Sequence, residues 1–150
     1  MAESKSLRIA YGEALAELGA ENDKIVVLDA DLSNATMTNR FSAVYPDRFF
    51  DVGIAEGCAA SMAAGMAKQG AVPVFAVYST FLQRSYDMLL HDMAIDGLHV
   101  VLAVDRAGLV GEDGETHHGI FDVAYLNSVP GITVYSPCLL YTSDAADEED

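Results

Sequence analysis

Apolar positions fall in two rhythms along this chain. Over residues 7–20 they recur at helical spacing, at Leu7, Ala10, Tyr11, Ala14, Leu15 and Leu18. That spacing predicts a helix, with Ser6 as its N-cap and Gly19 as its stop. Residues 24–28, Lys-Ile-Val-Val-Leu, form instead a short continuous apolar run. This is the pattern of a parallel strand covered on both faces. The two rhythms then alternate. A helix is predicted over 36–44, closed by Pro46, and a strand over 48–52. A helix of small residues over 57–68, ending before Gly70, and a strand over 73–78 follow. A long helix over about 81–95, with Ser79 and Thr80 as cap candidates, precedes a strand over 98–104. A polar, glycine-rich loop spans 107–119. A helix near 121–126 and a strand near 132–135 complete the series. Strands alternating with helices predict an α/β fold, a doubly wound, mostly parallel sheet with helices on both faces. The small-residue helix suits close approach of another backbone, as a buried helix or a subunit interface.

Size and charge narrow the possibilities. The chain has 150 residues, enough for one domain with a proper core, and a net charge of −15. Such a surface argues against nucleic acid or an anionic membrane as partner. It leaves room for a small phosphorylated ligand held by one or two arginines. Cys58 and Cys138 lie far apart without metal-ligand spacing, so neither a disulfide framework nor a zinc site is predicted. The first residues lack a signal-peptide core, no apolar run reaches membrane-spanning length, and a cytoplasmic location is expected. After Pro137 the apolar patterning stops, and five of the last seven residues are acidic. The stretch from Cys138 to Glu148 resembles a translated sequencing adapter. The domain is therefore expected over 1–137, with 138–150 a non-native or solvated acidic tail.

Candidate chemistry gathers at predicted strand ends. Asp51-Val52-Gly53-Ile54-Ala55-Glu56 places one carboxylate where a strand gives way to a helix. An acid in a first helical turn is favourable with the dipole and needs no function. Its small, apolar surroundings also suit a carboxylate that shares a proton with a ring nitrogen. Tyr78, Phe81 and Arg84 fall together after the third strand, readable as an aromatic platform beside a cation or as a core ring with a surface arginine. Arg106, Asp113, Thr116, His117 and His118 share the long loop, a combination suited to acid–base or phosphate work. Asp29 and Asp31 follow the first strand. Their simpler reading is a loop with Ser33 or Asn34 capping the next helix. His91 and His99 are read as structural, and Cys58 as a small buried filler. No metal site is predicted.

Three of these stretches resemble the pyrimidine-binding domain of transketolase-like, thiamine diphosphate enzymes. They are Asp51 to Glu56, Tyr78-Ser-Thr-Phe-Leu-Gln-Arg-Ser-Tyr-Asp87, and the run from Asp105 to Gly119. The latter two are most similar to 1-deoxy-D-xylulose-5-phosphate synthases. The segment Asp29-Ala-Asp-Leu-Ser33 looks more like the C-terminal subunit of split transketolases. The resemblance implies that Glu56 hydrogen-bonds the cofactor's pyrimidine nitrogen and so promotes deprotonation of its thiazolium carbon. It implies that Phe81 stacks on the pyrimidine with Tyr78 beside it. Arg106 and Arg84 would meet substrate phosphate, while Asp113 and His117 would contact substrate and move protons. In the synthase, pyruvate is decarboxylated and its two-carbon unit is joined to D-glyceraldehyde 3-phosphate. Gly57-Cys58 depart from the Gln-His usual in the family. The Gly-Asp-Gly motif that holds the diphosphate and Mg2+ is absent from this chain, as is the family's C-terminal domain. A diphosphate-binding domain or subunit is thus an expected partner, in a homodimer or heterotetramer. A split transketolase subunit is the alternative within the class, and a non-catalytic dimerisation domain the alternative outside it.

Overall fold

The structure, a computed structural model, describes residues 6–136. Four parallel strands form one sheet: β1 (Ile25–Asp29), β2 (Phe49–Asp51), β3 (Val72–Tyr78) and β4 (Val101–Asp105), in the order β2-β1-β3-β4. The chain leaves β1 for β2 on one side and continues through β3 and β4 on the other. β1 therefore flanks the point where the strand order reverses. Crevices beyond the strand ends at such a point are where open α/β sheets take ligands. All four strands finish at this edge, with Asp29, Asp51, Tyr78 and Asp105 as their last residues.

Strand residues alternate between two apolar layers, as the pleat requires. Ile25, Val27 and Val74 pack with Leu15 of α1 (Leu7–Glu21) and with Phe41. Val26, Leu28, Phe75 and Val77 face the other layer. Phe41 belongs to α3 (Asn39–Val44), which follows the short α2 (Ser33–Thr36). The second layer contains Ala59, Ala60, Ala63 and Ala64 of α4 (Glu56–Lys68), all buried. Helices thus cover both faces, as doubly wound folds demand. Small side chains let α4 lie close on β1 and β3, which is the packing half of its predicted role.

Several boundaries differ from the sequence reading. α1 does not stop at Gly19 but runs to Glu21, and Gly19 is buried where the Phe41 and Tyr45 rings close in. The helix expected over 36–44 is two pieces, parted by Met37 in a left-handed conformation. Neither Ser6 nor Ser33 makes a side-chain cap. Ser33 lies inside α2, and the Leu32 amide at its start donates instead to Asp29 Oδ1 at 2.6 Å. The long helix over 81–95 is a helical path of changing pitch: α5 (Ser79–Leu82), a 3-10 turn (Gln83–Ser85), α6 (Tyr86–Met88) and a π-helical stretch (Leu89–Ala94). Leu89 and Met93, four residues apart on one face of this path, both lie in the core. Cys58 is exposed rather than buried, because it lies on the face of α4 turned from the sheet. The short α7 (Asp122–Leu126) forms as expected, but residues 132–135 form no strand. Ile132 packs against the core, while Thr133, Val134 and Tyr135 are exposed; β-propensity alone makes no strand without a ladder partner. These residues line an apolar groove of about 1290 Å³ along the outer side of β4. The expected tail lies outside the described residues.

Candidate active site at the strand ends

The site begins with the turn after β2. The Asp51 carboxylate accepts hydrogen bonds from the amides of Asp31 (3.0 Å) and Gly53 (2.9 Å), tying the ends of β1 and β2 together. Gly53 takes a positive φ of 69°, which glycine adopts without steric cost, and the chain then enters α4. Glu56 is the first residue of that helix and is only 4 % exposed. An acid in this first turn sits favourably with the helix dipole. A salt bridge completes its surroundings: Arg84 Nη1 donates to Glu56 Oε1 at 2.6 Å. Beside it, a Cβ on Gly57 would stand 3.1 Å from Met88 Cε, so glycine here leaves room for α6.

The aromatic platform comes from the end of β3 and the start of α5. Tyr78 and Phe81 rings are nearly parallel, 5.5 Å apart and 10° from coplanar. The Arg84 guanidinium lies 4.9 Å from the Phe81 ring centroid, while His117 meets Phe81 edge-on at 5.3 Å. Arg84, predicted beside the substrate, is thus drawn onto Glu56 and Phe81.

Arg106 follows β4 directly, with a left-handed φ of 59°, an uncommon conformation for a side-chain-bearing residue. Its amide donates to Asp105 Oδ1 at 2.8 Å, which holds that turn. Its guanidinium lies 5.2 Å from the Tyr78 ring and donates to the Tyr78 hydroxyl at 3.4 Å. Nε stands 3.0 Å from Asp113 Oδ2, an ion pair rather than a well-aligned hydrogen bond. The bond to Tyr78 raises the guanidinium pKa against the opposing effect of burial, and Asp113 and Asp105 add to the rise. Contacts therefore run without a break from Glu56 through Arg84, Phe81, Tyr78 and Arg106 to Asp113, with His117 joined at Phe81. All seven predicted site residues share one network.

The long loop is anchored at its base. Gly108 and Gly119 exchange two backbone hydrogen bonds, at 2.7 and 2.9 Å. The Thr80 hydroxyl donates to the Thr116 carbonyl at 3.4 Å, and Thr116 Oγ1 meets His117 Nδ1 at 2.8 Å. The adjacent histidines divide their roles: the Val110 amide donates to His118 Nδ1, so His118 supports the loop while His117 faces the platform. Sequence reasoning gave little weight to Asp29. Fully buried, it accepts hydrogen bonds from Thr36 and Thr38, each at 2.9 Å, besides the Leu32 amide. Burial raises its pKa, with a further push from Asp51, against the lowering effect of those three bonds. The signal was an acid ending an apolar strand with two threonines soon after. Among the described residues, no cluster of His, Cys, Asp and Glu could hold a metal.

Residues 3–145 match the family described as transketolase, pyrimidine binding domain. The chain belongs to this family. It is 56 % identical over 128 residues to a 1-deoxy-D-xylulose-5-phosphate synthase from Clostridium acetobutylicum, covering 85 % of this chain and 21 % of that protein. It is 58 % identical over 127 residues to the enzyme of that name from Thermomicrobium roseum, covering 85 % and 20 %. Among solved structures, a split-gene transketolase captured as an inactive β4 tetramer matches with a TM-score of 0.70 and 40 % identity, over 82 % of this chain and 40 % of the other. A Pichia stipitis transketolase in complex with sedoheptulose 7-phosphate matches with a TM-score of 0.82 over 97 % of this chain and 24 % of the other; at 20 % identity it shows the shared fold. The chain spans about a fifth of the length of the curated relatives it matches.

Proposed function

We propose that this domain is the pyrimidine-binding part of a thiamine diphosphate-dependent transferase of the 1-deoxy-D-xylulose-5-phosphate synthase kind. The single observation that carries this reading is Glu56, a buried carboxylate opening a helix at a strand-end crevice, next to an aromatic platform. The residues present fit a flat aminopyrimidine. A planar N–H donor, the Arg84 guanidinium, already lies against both the Glu56 carboxylate and the Phe81 ring. Identity to the synthases favours that enzyme over a split transketolase, 56–58 % against 40 %.

Bound thiamine diphosphate would supply a thiazolium that stabilises the carbanion left by decarboxylation of a 2-oxo acid. Glu56 would hold a proton at the pyrimidine ring nitrogen, and Phe81, backed by Tyr78, would set the ring's plane. Arg106, held by Tyr78 and Asp113, would present a fixed cation to the phosphate of D-glyceraldehyde 3-phosphate. His117 and Asp113 would serve substrate hydroxyls at the loop side. The diphosphate and Mg2+ would be held by a separate diphosphate-binding domain or subunit, in a homodimer or heterotetramer. The large groove along β4 contains none of the seven site residues. They form a face, suited to closure by such a partner. A cytoplasmic location accords with this reading, and no described helix is long and apolar enough to cross a membrane.

The test is carbon dioxide release from pyruvate plus D-glyceraldehyde 3-phosphate by the domain reconstituted with a diphosphate-binding partner. Glu56→Gln is expected to lower the rate at least ~100-fold, the usual scale for a positioned proton-transfer group. Full activity of that variant would overturn the assignment. Turnover of xylulose 5-phosphate with ribose 5-phosphate, and none of pyruvate, would indicate a transketolase.

A further inference from the structure

We propose that Arg84 is a latch on the pyrimidine slot, filling it until an aminopyrimidine ring displaces the guanidinium. The inference rests on the reading of Glu56 and Phe81 given above. A bound pyrimidine, protonated at its ring nitrogen, would offer an N–H to Glu56 and a flat face to Phe81. The Arg84 guanidinium already makes both contacts, at 2.6 Å from Glu56 Oε1 and 4.9 Å from the Phe81 centroid. Ring and guanidinium therefore compete for the same two partners.

Burial explains why such an occupant is needed. Glu56 is 4 % exposed, and a carboxylate withdrawn from water without a donor is costly. Among the described residues, Arg84 is the hydrogen-bonding partner of its side chain. The Arg84 side chain, by contrast, is 55 % exposed. It stands on the 3-10 turn between α5 and α6, so it can leave toward solvent without moving either helix. Glu56 is held in place and Arg84 is the part free to move. Once released, the guanidinium can meet an anionic substrate group, as the sequence led one to expect.

A slot that is mostly closed weakens apparent binding in proportion to the fraction closed. The test titrates the 150-residue chain with 4-amino-5-hydroxymethyl-2-methylpyrimidine, the ring without thiazolium or diphosphate. Wild type, Arg84→Met and Arg84→Lys are compared by calorimetry, and circular dichroism checks that each is folded. Arg84→Met is expected to bind the ring about tenfold more tightly, the gain for a slot about nine-tenths closed. Arg84→Lys keeps the charge but lacks the flat fork, and is also expected to bind more tightly than wild type. In wild type, the Arg84 Nε–H resonance is expected to move to the position of a free guanidinium at saturation. Equal or weaker binding by Arg84→Met, or an unmoved Nε–H resonance, would overturn the latch and leave the pyrimidine reading standing. No binding by any folded variant would overturn both.

Discussion

Gly119→Ala tests how the base of the long loop is held. A Cβ at this position would stand 2.5 Å from the Arg106 carbonyl oxygen and from Ser79 Cβ, and closer still to the Ser79 hydroxyl. Gly119 does not need a left-handed backbone, so the penalty is steric alone. Neither neighbour can yield cheaply. The oxygen belongs to the backbone that carries Arg106 in its uncommon conformation, and Ser79 is buried at the end of β3. Overpacking of this kind costs about 1–3 kcal/mol. The chain has a second way out: it can release the Gly108–Gly119 pair, giving up two backbone hydrogen bonds of about 1 kcal/mol each. The cheaper route caps the loss near 2 kcal/mol, or ~4–8 °C in melting temperature for a chain of this size. Urea denaturation measures the total. Amide hydrogen exchange at Gly108 and Gly119 tells whether the loop base opened. Unchanged stability together with unchanged protection at both amides would refute the reasoning, because the added methyl would then have found room the geometry denies.

Three further outcomes follow from the packing and from Asp29. Gly19→Ala should destabilise by up to about 2 kcal/mol, because a Cβ lies 2.7 Å from the Phe41 ring and 2.8 Å from the Tyr45 ring, a clash that offsets the ~1 kcal/mol gain in helix propensity. Gly65→Ala, with nothing within 4 Å, should gain about that 1 kcal/mol, and equal effects at the two sites by urea denaturation would contradict the account. Asp29 has a folded pKa raised above its unfolded value, so the fold binds its proton more tightly than the unfolded chain does. Its contribution is fully present below the unfolded pKa, roughly 3.9, and is lost as pH rises through the raised folded value. Asp29→Asn removes that loss. The stability advantage of wild type over Asp29→Asn should therefore shrink as pH rises above about 4, and an advantage that stays constant or grows would show that Asp29 does not titrate as described.

The elements most legible in the sequence were those fixed by local pattern. The runs at 24–28 and 73–78 predicted β1 and β3 to within a residue or so, because strands covered on both faces must be apolar throughout. The small-residue run likewise predicted α4. What escaped depends on distant partners. Gly19 looks like a helix stop until the Phe41 and Tyr45 rings are placed against it. Residues 132–135 look like a strand until no ladder forms beside β4. In the site, Glu56, Tyr78, Phe81, Arg106, Asp113 and His117 were legible as residue types at strand ends. The bond from Arg84 to Glu56 was not, because it joins positions 28 apart whose helices meet only when the sheet is assembled. Nor was the Gly119 approach to Ser79, which no local pattern encodes.

Tyr78 pairs in register with Asp105, so the aromatic platform and the base of the Arg106 arm are neighbours on one ladder. Their spacing is as stiff as the sheet core. Asp113 and His117, by contrast, ride on a loop joined to that frame by a few polar contacts and one ring edge. The domain is thus divided into a chassis and an exchangeable fitting. Changes at loop positions away from Gly108 and Gly119 can alter the side chains facing the platform while the distance between the platform and the Arg106 cation stays the same. One frame can in this way carry different loop chemistry without its Glu56 end being rebuilt.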